Sequence, residues 1–106
     1  MPKFLITGSY TQAVIKGVLG EGGSGRRDAV EKLATSVGGT LESFYFGFGG
    51  DDFYVTAELP DNQAAAAVAM TVAASGGATA RTVVLLTPEE VDAAAKLSPN
   101  YRAPGV

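Results

Sequence analysis

Hydrophobic and polar positions alternate most regularly between Leu41 and Leu59, where the chain reads LESFYFGFGGDDFYVTAEL. Aromatic residues alternate there with small or polar ones, run into glycines and aspartates, and alternate again, the period of two that a β-hairpin imposes. Gly49, Gly50, Asp51 and Asp52 suit the turn, because Gly and Asp tolerate the positive φ of tight connections. A turn centred on Gly49-Gly50 sets Tyr45 opposite Tyr54, and one centred on Gly50-Asp51 sets it opposite Thr56. Both predict the same two faces. One face collects Phe44, Phe46, Phe48, Phe53, Val55, Ala57 and Leu59, whose rings need covering to leave water. The other collects Ser43, Tyr45, Gly47, Asp52, Tyr54, Thr56 and Glu58.

The flanking pattern supplies the cover. Residues 3–10 alternate Phe4 and Ile6 against Leu5, Thr7 and Ser9 and predict a strand. Thr11 is placed to cap a short helix over 11–19, with Val14, Ile15, Val18 and Leu19 on one side, and the glycine-rich run 20–25 ends it. Val30, Leu33, Ala34 and Val37 form the apolar stripe of a second helical stretch over 26–37, stopped by Gly38-Gly39. After the hairpin, Asp61 is a natural N-cap for an alanine-rich helix over 62–75, which Gly76-Gly77 terminates. A last strand follows over 79–86, then a helix opened by Thr87-Pro88-Glu89-Glu90 with the spacing of a capping box. Strand, helix, strand, strand, helix, strand is the split βαβ order of an α+β, ferredoxin-like domain: a four-stranded antiparallel sheet with two main helices on one face. The expected domain covers residues 1–97, a C-terminal helix included, and residues 98–106 form an extended tail. Because the bare sheet face carries Tyr45 and Tyr54, a second copy is expected to cover it and enclose a polar and aromatic cavity.

Composition narrows the chemistry. At 106 residues the chain is one domain, and eight basic against eleven acidic residues give a net charge of -3 with no basic block. Nucleic-acid binding through phosphate neutralisation is disfavoured. Neither cysteine nor histidine occurs, which removes disulfides, thiol nucleophiles, histidine dyads and histidine-ligated zinc or haem. No loop has the acidic spacing of a calcium or magnesium site, so neither a metal nor a redox cofactor is expected. The opening MPKFLITGSY lacks the features of a signal peptide and no stretch is long enough to span a bilayer, which makes a cytoplasmic protein without membrane partners the expectation.

Three groups of residues carry candidate chemistry. Gly20, Gly22 and Gly25 match the dinucleotide-binding string, but that motif must directly follow a strand, and a helical stretch intervenes. Arg26 and Arg27 stand at a helix N-terminus, where cations oppose the macrodipole; an anion held by both guanidiniums would account for them, as would pairing with Glu21, Asp28 or Glu31. Asp52, Tyr54 and Glu58 are the candidate catalytic groups, since a carboxylate enclosed beside tyrosines can act as a base. Ser43, Tyr45, Tyr54 and Thr56 are the candidate ligand-binding groups on the same face. Arg81 can reach a carboxylate of the sheet or of a partner chain, depending on its face, which stays open because both parities of its strand are apolar; the tail with Tyr101 and Arg102 can wrap a neighbouring subunit or, equally on composition, be disordered.

The chain resembles the GYD domain proteins. The likeness is carried by SYT and IKGVL near the start, GRRDAVEKLA, GGTLESFYF, the FG-x-x-D turn, the PD before the second main helix, and RTVVLLTPEEVDAA. The namesake glycine, tyrosine and aspartate fall on Gly49, Asp51 and Asp52 with Gly50 as a spacer, so Asp51 stands where the family has tyrosine. The resemblance implies a ferredoxin-like fold of the dimeric α/β-barrel type and carries no activity with it. Three readings follow: a homo-oligomeric module binding a small organic molecule between facing sheets, a cofactor-independent isomerase, lyase or oxygenase working through Asp52 and Tyr54, or a purely structural assembly module.

Overall fold

Strand β1 (Lys3–Tyr10) lies at the centre of the sheet because it is paired on both sides, antiparallel to β3 (Phe53–Glu58) and to β4 (Ala78–Leu85). The edge strand β2 (Thr40–Phe46) pairs with β3, giving the order β2-β3-β1-β4. This computed structural model describes residues 1–105, and it has the expected α+β, ferredoxin-like arrangement: an antiparallel four-stranded sheet, two main helices on one face and a third helix after the last strand. Val106, the end of the expected tail, lies outside the described residues.

The helices are α1 (Gln12–Ser36), α2 (Asn62–Ser75) and α3 (Pro88–Ala95). Each begins on the cap its sequence announces: Thr11 accepts from the Val14 amide, Asp61 from the Ala64 amide, and Thr87 and Glu90 close a reciprocal capping box. The glycine run departs from expectation. Residues 20–25 are not a connection between helices; they lie inside α1, which breaks only at Gly22 (φ 84°, ψ 167°) and resumes at once. Only glycine adopts that backbone conformation without strain, so one residue changes the helix direction where a loop of six was expected.

Phe4 and Leu59, each only 1% exposed, anchor the core between sheet and helices with Ala34, Ala57 and Ala65. A second cluster gathers Phe53, Val55 and Ala78 with Tyr10, Val30, Phe44 and Val72. Two details of the hairpin differ from its sequence pattern. Tyr45 does lie opposite Tyr54, but a bulge at Glu42 adds one residue to β2, and this turns both Leu41 and Phe44 toward the helices. The connection is also longer than a two-residue turn. The Gly47 amide donates to the Asp52 carbonyl, so Phe48 leaves the ladder and sits fully exposed in the loop instead of on the apolar face.

Every residue from Leu86 to Gly105 is exposed. The radius of gyration of 16.9 Å exceeds the roughly 13 Å of a compact chain this long because α3 and the tail stand away from the body. Among the described residues, no helix is long and apolar enough to cross a membrane.

Candidate functional site

On the open face of the sheet, strand register arranges the side chains in transverse rows. Tyr45, Tyr54, Thr7 and Arg81 are successive cross-strand partners, and two residues along the strands the next row is Ser43, Thr56, Leu5 and Val83. Glu58, Lys3 and Leu85 form a third. Rows on one face are about 7 Å apart, so neighbouring rows share one ligand-sized surface. The register also settles Arg81: it belongs to the open face, with Val83 and Leu85.

The four ligand-binding candidates are therefore brought together. The Ser43 and Thr56 hydroxyls share a hydrogen bond of 2.5 Å, while Tyr45 is 68% exposed and Tyr54 40%. Arg81 Nη2 pairs with Asp51 Oδ2, which ties the hairpin loop to β4 across the end of the first row. Asp51 thus holds a cation of the open face in place. At the other end Lys3 Nζ donates to Glu42 Oε1 over 2.9 Å; this bond and the Glu42 charge raise the Lys3 ammonium above its ordinary pKa of 10.5, with Glu58 adding to it. Of the catalytic candidates, Tyr54 and Glu58 lie on this face.

Asp52 does not. The ladder ends before it, and its carboxylate turns to accept the Tyr10 amide at 2.9 Å. The same residue's amide donates to the Gly8 carbonyl at 2.7 Å. Asp52 thereby fastens the hairpin loop to the end of β1 and lines a hollow of about 380 Å³ on the helix side, with Tyr10, Ile15, Leu19, Phe46 and Phe48. The pairing of Asp52 with Tyr54 expected from alternation is not assembled within this chain.

The two arginines separate as well. Arg27 is exposed, 3.8 Å from Asp28, and lines a hollow along the β2 edge. Arg26 turns inward, its guanidinium carbon 5.6 Å from the Tyr10 ring centre. There it borders a cleft of about 60 Å³ between the helices and the sheet, walled by Ile6, Val30, Phe44, Phe53, Val72 and other apolar residues. Its Nε is buried without a hydrogen-bond partner, and leaving such a donor unpaired costs about 1–3 kcal/mol. Burial pushes the Tyr10 phenol above its ordinary pKa of 10.0, opposed by the hydrogen bond and charge of Arg26 and reinforced by the Asp52 charge. Sequence alternation places Tyr10 on the helix side of β1, but nothing local announces that Arg26 and Asp52 converge on it from residues 16 and 42 positions away.

Among the described residues no three carboxylates gather as a metal site. In comparisons with known proteins, the model of the GYD domain matches residues 4–95. No curated protein and no solved structure matches the chain.

Proposed function

Since this chain belongs to the GYD domain family, with the fold just described, we propose that it works as a homo-oligomeric binding module for a small organic molecule, held where the open faces of two sheets meet. The observation that carries this reading is the composition of the open face: Val83 is 47% exposed and Tyr45 more so, beside Leu5 and Leu85, around a centre of hydroxyls. A solvated sheet face alternates to charged and polar residues throughout. This one sets three aliphatic side chains and two tyrosines among its hydroxyls and charges, a mixture suited to a binding surface.

Area supports a role for the arm beyond β4. Four strands of this length present a footprint of about 450 Å², against about 800 Å² per partner in a standard stable interface. Leu86, Val91, Leu97 and Tyr101, all exposed on the arm, supply further apolar contact to a neighbouring copy. The alternative of a cofactor-independent enzyme keeps Tyr54 and Glu58 but has no second carboxylate from Asp52 on that surface.

Sedimentation velocity tests the assembly. Wild type is expected to be dimeric or larger at micromolar concentration and Val83→Asp monomeric; a monomeric wild type overturns the reading. Thermal-shift screening with aromatic and hydroxylated small molecules tests the pocket. Stabilisation that Tyr54→Phe or Thr56→Ala weakens supports binding at this face, and an assembly indifferent to every such compound leaves only the structural role.

A further inference from the structure

We infer that the cleft between the helices and the sheet is a second binding site, separate from the open face, for a short aliphatic monocarboxylate recognised by the Arg26 guanidinium. Arg26 is the one charged residue among those lining the cleft. Among the described residues it takes part in no ion pair, and its Nε is buried without a partner. A guanidinium in this state is a pre-placed receptor for a planar anion: a carboxylate accepts from two of its N–H groups at once and satisfies the orphaned donor.

The walls decide what the anion is attached to. They are almost wholly aliphatic and aromatic, which excludes phosphate, a dianion with no apolar part to bury. Size sets the rest. One water needs about 10–15 Å³ of such space, so the cleft of about 60 Å³ holds roughly four to six heavy atoms, the tail of a branched or straight short-chain acid. Tyr10 also lines the cleft, and its hydroxyl, hydrogen-bonded with Arg26 and protonated at neutral pH, is a further donor for the head group. Asp52 and its negative charge border the neighbouring hollow, on the other side of Tyr10, and do not line the cleft. Asp52 and Arg26 are the charged groups acting on Tyr10. The inference does not depend on the proposed dimer, because every lining residue belongs to one chain.

The test is an NMR titration of the full chain with isovalerate and with isovaleramide, which has the same shape and no charge. Isovalerate is expected to give saturable shifts at the Val30 and Val72 methyl groups and at the Arg26 Nε–H, with the amide about tenfold or more weaker. Equal affinity for acid and amide, no saturable shift, or shifts confined to Tyr45 and Tyr54 each overturn the site. Arg26→Gln is expected to lose a similar factor, and undiminished binding by that variant also overturns it. Ala69→Leu, which fills the cleft from α2 and leaves Arg26 in place, is expected to abolish binding while keeping the thermal transition; retained binding rejects the cleft as the location. The acid and amide comparison on wild type needs no variant and decides the question if either substitution unfolds the chain.

Discussion

The two faces of the sheet share four strands, one register and alternate residues of the same sequence, yet they differ in what covers them. The face toward α1 and α2 carries Phe4, Val55 and Ala57, nearly sealed from water by side chains of the same chain. The face turned away carries Leu5, Val83 and Leu85 among hydroxyls and tyrosines, and Asp51 of the hairpin loop reaches over its end. Burying an aliphatic side chain is worth about 1.5–3 kcal/mol. On the helix face that energy belongs to the fold of one chain, whereas on the open face it would be realised only in the proposed assembly and would then scale with concentration.

Truncating the most buried ring breaks the comparison if it is wrong. Phe4→Ala is expected to cost about 3–5 kcal/mol in urea unfolding, equally at all protein concentrations. Val83→Ala should cost under about 0.5 kcal/mol in dilute, dissociated protein and more as concentration rises. A Phe4 variant no worse than the Val83 one would remove the distinction between the faces.

Asp52 sharpens where the boundary between them runs. Because its carboxylate accepts the Tyr10 amide, Asp52→Ala is expected to cost about 1–3 kcal/mol, and Asp52→Asn, which keeps an acceptor, to recover most of it. Ligand binding on the open face should be unchanged in Asp52→Asn. Binding that fails in the well-folded asparagine variant would return Asp52 to the open face.

Much of this division is legible in the chain because it rests on local periods. The parity of Phe4 and Ile6, the stripe Val30, Leu33, Ala34 and Val37, and the caps at Thr11, Asp61 and Thr87 each need only a few neighbouring residues, and each is realised. What fails are steps where one residue shifts a count. The bulge at Glu42 brings Leu41 onto the same face as Phe44, and the early end of the ladder moves Phe48 and Asp52 off the faces that alternation assigns them. Alternation carries no mark of either event. The glycine run is a further departure: six residues with high loop propensity, glycine costing about 1 kcal/mol each in a helix, stay helical except at Gly22, although Ile15 and Leu19 of the stripe before them are exposed. The Arg26 cleft is a product of long-range convergence and has no local signature.

Ser43→Ala is a smaller probe of the open face. It removes one side of the 2.5 Å bond to Thr56 and should cost about 0.5–1.5 kcal/mol, detectable by double-mutant comparison with Thr56→Ala. If the two changes add independently, the hydroxyl pair is not coupled and the polar centre of that face is looser than the register suggests.

The smallest effect at neutral pH, and the most specific to the helix face, lies in the alkaline range. Folded Tyr10 holds its proton more tightly than the unfolded chain, chiefly because burial disfavours the phenolate. Its contribution to stability is therefore complete below the ordinary pKa of 10.0 and is lost as pH rises through the higher folded value. Lys3 has the same sign, since its folded pKa is also raised, so wild type loses both contributions on the way up. Tyr10→Phe keeps only the Lys3 part, and its stability should fall less steeply than that of wild type above about pH 10. Urea midpoints measured across that range give the two slopes. Coincident slopes would mean that water reaches the Tyr10 hydroxyl, and then the rim of the Arg26 cleft would be as open as the tyrosine face on the other side of the sheet.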